Sequence, residues 1–367
     1  MQLSLIFSIA TTFIPLPVVM MGGFHFLMDL LGAIGKLMEG SGLREMLTTI
    51  YGENVVQHML SGKAVNKAFR GHLLMEKCLN MLLLNMLEDM EEEDNLTDSI
   101  TELENIYTKI EKRESNITDI PERCDVEGPL NELKTTLESE SRTSRVFLNY
   151  MNMIKIAQNL VAADRSGNWN LLQKSIQDSL PILAASGNFH YLRSAHFFVE
   201  EMMKLPVEHP ELHQRFQNGF HVIRRTDKFW AGLNSDLTIE QTLMRCLKTS
   251  GGLTRGSGMT EAQRNLWTES MPHRAAINLA MQETTGVDLV TSVQHETLRT
   301  ARLQRDCDDV SRLLEVVKEY SPFSADSSLR NVVTGEVASR EVNVDSYQSI
   351  GKEIIKESYA WKERIFA

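Results

Sequence analysis

Residues Gly219 to Gln263 read GFHVIRRTDKFWAGLNSDLTIEQTLMRCLKTSGGLTRGSGMTEAQ. A basic entry (Arg224, Arg225, Lys228), a carboxylate pair (Asp236, Glu240) and a four-glycine loop fall within this one stretch. Thr260-Glu261-Ala262-Gln263 has the form of a capping box, in which a Thr at N-cap and a Gln at N3 each satisfy the other's backbone donor. Ser235 or Asp236 stands where an N-cap stands, and Glu240 follows one turn later, where the helix dipole favours a negative charge. The stretch therefore reads as a capped helix, a glycine turn and a second capped helix. That reading sets the expectation of a helical fold.

The same residues carry the candidate chemistry. Asp236 and Glu240 are four apart and share a helical face. Two carboxylates so placed suit Mg²⁺, a hard ion that takes oxygen ligands and keeps several waters. In the loop Thr249 to Gly258, glycines let backbone N–H groups turn toward an anion, and Arg255 adds a two-pronged donor. Gly251 and Gly256 have P-loop spacing, but Ser257-Gly258 follows where Lys and Ser or Thr are needed. The loop is thus expected to be a tight helix connection. Arg224, Arg225, Lys228 and Arg255 are the candidate phosphate or nucleic-acid contacts. Phe229 and Trp230 beside them can stack bases in a basic groove, although packing in the core is the plainer expectation for both. His209 and His213 have i,i+4 spacing, but Pro210 occupies the slot that a zinc enzyme's HExxH motif gives to Glu. His25, next to Phe24 and near Leu27, is expected to be a core histidine.

Composition narrows the class. The chain has 367 residues, 42% of them hydrophobic, 24% charged, and a net charge of −11. This suits a globular protein of two or three domains. The acidity is local. Residues 88–140 hold 18 Asp or Glu against 5 Lys or Arg, which leaves the remainder at +2. That segment reads as a solvated linker with one helix near Ile100 to Ile110, and as a surface for protein partners in the alternative. Cys78, Cys124, Cys246 and Cys307 lie far apart without CxxC spacing, so no disulfide framework or zinc ribbon is expected. The first 28 residues carry no charge. They lack the basic start of a signal peptide, and Pro15 and Pro17 interrupt a spanning helix. Nuclear or cytoplasmic placement is the expectation, and export or membrane anchoring through this segment is the alternative. Val18 to Met21 reads as a buried strand leading through Gly22-Gly23 into a helix.

Along the chain, apolar residues recur at helical spacing in 24–38, 43–50, 55–60, 64–87, 142–163, 189–205, 210–223, 261–284 and 291–320. Asn168 opens a further helix that ends near Pro181, and Asp345 caps a last one through Trp361. Arg305 to Asp309 reads as a solvated helical face. Leu329 to Val344 alternates loosely and is the one expected hairpin.

Several strings carry a resemblance: Gly22-Gly23-Phe24-His25, Leu31 to Gly35, Arg165 to Trp169, His221 through Glu261, Pro322-Phe323 and Val342 to Asp345. From Val18 onward the chain resembles a multi-copy group of invertebrate proteins of mobile-element descent. Its organisation is similar to that of DDE-type transposases, whose RNase H-like core is interrupted by a helical insertion before the last acidic residue. The resemblance implies an RNase H-like remnant within 1–87, the acidic linker over 88–140, the helical insertion over 141–234 and a C-terminal helical region over 235–367. It makes Glu240 the vestige of the third metal-binding acid. The group's acidic strand is replaced here by uncharged Met1 to Pro17, and Ser257 stands where the group carries Arg. A two-metal reaction cannot run on one carboxylate. The implied protein is therefore a mainly α, catalytically dead derivative. It needs no cofactor, takes Mg²⁺ only at a residual nuclease-type site, and keeps at most residual nucleic-acid binding. A helical protein-interaction module is the alternative.

Overall fold

The structure is a computed structural model that describes residues 18–90, 127–224, 226, 229–240, 260–285, 300–324, 327–338 and 344–366. Among these the protein is mainly helical, and the helices follow the apolar periodicity closely. In chain order they are α1 (Gly23–Leu37), α2 (Leu43–Thr48), α3 (Glu53–Leu60), α4 (Val65–Met90), α5 (Glu127–Glu140), α6 (Arg142–Ser166), α7 (Trp169–Ala185), α8 (Phe189–Glu208) and α9 (Pro210–Gln217). A short antiparallel hairpin follows, β1 (Ile223–Arg224) with β2 (Gly232–Leu233), in the register Ile223 to Leu233 and Arg224 to Gly232. Then come α10 (Ser235–Ile239), α11 (Glu261–Thr285), α12 (Thr300–Tyr320), a 3₁₀ turn (Val344–Ser346) and α13 (Tyr347–Phe366).

The central element is α6. It packs on α1, α4, α5 and α7, and Phe147, Tyr150, Met153, Ile154, Ala157 and Leu160 on it are fully buried. A helix covered on several sides must be apolar beyond one stripe, and α6 is. Ser141 caps its start by accepting the Ser144 amide at 3.2 Å, and Gly167 ends it in the left-handed region at φ 74°. Asn168 then caps α7 through the Leu171 amide at 3.0 Å. The expected capping box also forms: Thr260 N donates to Gln263 Oε1 at 2.9 Å and Gln263 N to Thr260 Oγ1 at 3.3 Å.

Two charged clamps fix the C-terminal part. Asp345, 5% exposed, accepts Arg142 Nε at 2.9 Å and Nη2 at 2.8 Å, with Arg145 Nη1 at 3.6 Å. On the other side Arg70 of α4 donates to Asp309 at 2.7 Å, to Asp306 and to the Tyr51 hydroxyl at 2.6 Å. This docks α12 on α4.

The structure differs from the sequence reading at several places. Val18 to Met21 forms no strand; it is irregular chain leading into α1. Residues 127–140, read as linker, form α5, because Leu133 and Leu137 bury one face against α4 and α6. Of the expected hairpin over 329–344, the described residues show one bridge, Arg330 with Val337, and 339–343 lie outside them. Asp306 and Asp309 are not a solvated face but the grip on Arg70. The hairpin at 223–233 has no counterpart in the sequence reading. The rest of the acidic segment (91–126), the glycine loop and Met1 to Pro17 lie outside the described residues. No helix among the described residues is long and apolar enough to cross a membrane.

Candidate functional site

The polar residues converge where four elements meet: the start of α1, the end of α6, the hairpin and α10. The local reason begins with α1. Gly22 stands at its N-cap and has no side chain to satisfy the first amides, yet four N–H groups there lack helical partners. Asp236 supplies the missing acceptor from far along the chain. Its Oδ1 accepts the Phe24 amide at 3.2 Å, and its Oδ2 accepts the His25 amide at 2.9 Å and His25 Nδ1 at 2.9 Å. A carboxylate at a helix N-terminus is also favoured by the dipole.

The glycine pair makes room for this approach. A Cβ on Gly22 would lie 2.5 Å from Asp236 Oδ2. One on Gly23 would lie 2.6 Å from Asn234 Nδ2 and 2.9 Å from Asp164 Oδ2. Asn234 Nδ2 in turn donates to Asp164 Oδ2. Asp164 is 8% exposed. Burial first, and the nearby Asp236 charge after it, push its carboxyl up to about 7, against the lowering effects of the Asn234 bond and Arg165. Sequence reasoning missed Asp164 and Asn234. The one available signal was a helix start without a capping residue, which implies a cap from elsewhere.

Behind this junction the hairpin is braced on α6. Arg165 Nη1 donates to the Gly232 carbonyl at 3.3 Å, and Arg224 Nη2 to the Ser166 carbonyl at 2.5 Å. Arg224 Nη1 reaches the Phe229 carbonyl at 3.3 Å, which ties the loop to its own strand. A Cβ at Gly232 would overlap the Asp164 carbonyl, so β2 lies directly on the α6 backbone. The loop carries Phe229 and Trp230, 71% and 57% exposed. Their rings are 6.2 Å apart and tilted by 40°. Core packing of these two aromatics, the plainer expectation from sequence, is therefore corrected. Each strand is only two residues long and offers no apolar face to close over them.

His25 is likewise not a core histidine: its side chain is 40% exposed and bonded to Asp236. Of the two residues expected to hold Mg²⁺, Asp236 is engaged with α1 through both oxygens. Glu240 lies one turn on, at the C-cap of α10. Among the described residues no cluster of three or more His, Cys, Asp or Glu is placed to hold a metal. Arg224 is described, whereas Arg225, Lys228 and Arg255 lie outside the described residues.

Comparison with known proteins gives one match. A family model described as Domain of unknown function (DUF8702) covers residues 14–363. No curated protein matches, and no solved structure does.

Proposed function

This chain belongs to the DUF8702 family over nearly its whole length, and from that premise we propose that it is a non-catalytic nucleic-acid-binding protein of transposase-like, mobile-element descent. The observation that carries the reading is the hairpin between α9 and α10. Its segment bears Arg224, Arg225 and Lys228 against the single acid Asp227, and Ile223, Arg224, Phe229 and Trp230 are solvent-exposed. A braced hairpin with so cationic a sequence suits the phosphate backbone, whose neutralisation releases counterions.

Two further points support the descent and the loss of catalysis. The chain leaves the start of α1 at the end of α6, runs through α7 to α9 and returns beside it, so that Asp236 meets Phe24 and His25. A helical insertion that leaves a junction and re-enters it would close in this way. Asp236 is also committed to holding α1, which leaves Glu240 as the vestigial acid of a site without its companions. The test has two parts. Labelled oligonucleotides should bind the full-length protein at low salt, and no Mg²⁺- or Mn²⁺-dependent nicking should appear that Glu240→Ala removes. Absence of binding, or nicking lost in that variant, refutes the reading.

One observation favours the alternative, a protein-interaction module. Leu266, Ile277 and Met281 on α11 are 65%, 59% and 59% exposed and fall on one side of the helix. Most helical stability in proteins comes from packing such a face against a neighbour. Hydrogen-exchange protection of the α11 amides that rises with protein concentration would favour that module. Concentration-independent exchange would count against it.

A further inference from the structure

We propose that the hairpin loop is a stacking platform for unpaired bases, so that its ligand is single-stranded or opened nucleic acid rather than intact duplex. The inference rests on the nucleic-acid reading above and names the form of nucleic acid that this surface takes. Phe229 and Trp230 are adjacent, both are mostly exposed, and the Phe229 carbonyl accepts from Arg224 Nη1. Large aromatics are ordinarily buried because each removes a large apolar area from water. Here the hairpin holds two of them outward.

Their mutual geometry matters. At 6.2 Å and 40° the rings are splayed and do not cover one another, so each retains a face. A base can stack on such a face only when it is not already stacked in a duplex, and such stacking is tolerant of sequence because every base has a π-face. Charge chooses between a nucleic acid and an apolar protein surface as occupant. Arg224, Arg225 and Lys228 lie within six residues of Trp230 on the chain, against Asp227 and Asp236, and Asp236 is engaged at the start of α1. A polyanion that also presents flat aromatic faces matches both properties together.

The bracing adds a second requirement of a platform, which is rigidity. Arg224 bonds both the loop at the Phe229 carbonyl and α6 at the Ser166 carbonyl. Through Gly232 the loop's second strand lies on the end of α6. Phe229 and Gly232, on either side of Trp230, are thus tied back to β1 and α6, which reduces the ordering entropy that binding would otherwise cost.

The experiment uses the full-length protein, a labelled mixed-sequence oligonucleotide, and the same sequence as a duplex. Both are titrated by anisotropy at low salt against wild type, Phe229→Ala/Trp230→Ala and Trp230→Phe. Because both side chains are exposed, the double variant should melt like wild type. The expected result is tighter binding of the single strand than of the duplex. The double variant should weaken single-strand binding by roughly tenfold per ring removed and barely change duplex binding, and Trp230→Phe should retain most of the affinity. Equal wild-type affinity for both forms overturns the proposal, as does an unchanged or uniformly weakened double variant. Those outcomes leave electrostatic binding standing. Failure of both forms to bind at low salt removes the underlying reading instead.

Discussion

Asp236 accepts the backbone amide and Nδ1 of His25, a residue 211 positions earlier, each at 2.9 Å. One side chain thereby caps α1, orients an exposed imidazole and anchors the segment that follows the hairpin. It closes the chain on itself around α6.

The first prediction concerns this closure. Asp236→Ala should cost about 2–4 kcal/mol, because it removes a charged cap and leaves partly buried donors unsatisfied. Asp236→Asn keeps one acceptor and should cost less. Urea unfolding of the two variants measures the difference. Equal stability of Asp236→Ala and wild type would show that the bonds at the start of α1 contribute nothing.

Asp164 makes stability depend on pH. Its folded-state value, about 7, lies above the ordinary 3.8, so the folded protein holds a proton that the unfolded chain releases. The contribution is intact below about pH 4 and is lost as pH rises through 7. Asp164→Asn cannot ionise, and its amide oxygen still accepts from Asn234. It should gain on wild type as pH rises over that window, by at most ~1.4 kcal/mol for each pH interval of one. Burial pulls His72 and His221 down to about 4; they act with the opposite sign, and the difference between variant and wild type cancels them. Parallel stability–pH curves for the two proteins would contradict the raised value.

Gly232 tests the bracing of the hairpin. With its Cβ overlapping the Asp164 carbonyl, Gly232→Ala should push β2 off the end of α6. The expected cost is about 1–3 kcal/mol, as for other overpacked contacts, with weaker oligonucleotide binding. Binding measured where the variant is still folded checks this. Unchanged affinity would mean that the hairpin's seat on α6 does not matter.

Much of this fold is legible in the sequence because helices announce themselves locally. The apolar periods of α1, α4 and α6, the Asn168 cap and the Thr260–Gln263 box all lie within a few turns of the residues they organise. Leu133 and Leu137 are harder to read, since the surrounding acids and Pro129 mask their spacing. Asp236 reads as a cap, and it is one, but of a different helix, because no periodicity links it to Phe24 and His25. The hairpin has strands too short to alternate, so nothing marks Phe229 and Trp230 as outward-facing. What escapes are long-range relationships, and the candidate site consists almost entirely of those.

The measurement that tests the central claim most directly is the salt dependence of single-strand binding by wild type and by Arg225→Ala/Lys228→Ala. With Arg224, Arg225 and Lys228 engaged, the logarithm of the binding constant should fall with that of salt at a slope of about −2, and the double variant should lose about 1.4 of that slope. A wild-type protein that shows no binding at low salt, or a variant with an unchanged slope, would contradict the assignment of nucleic-acid binding to this hairpin.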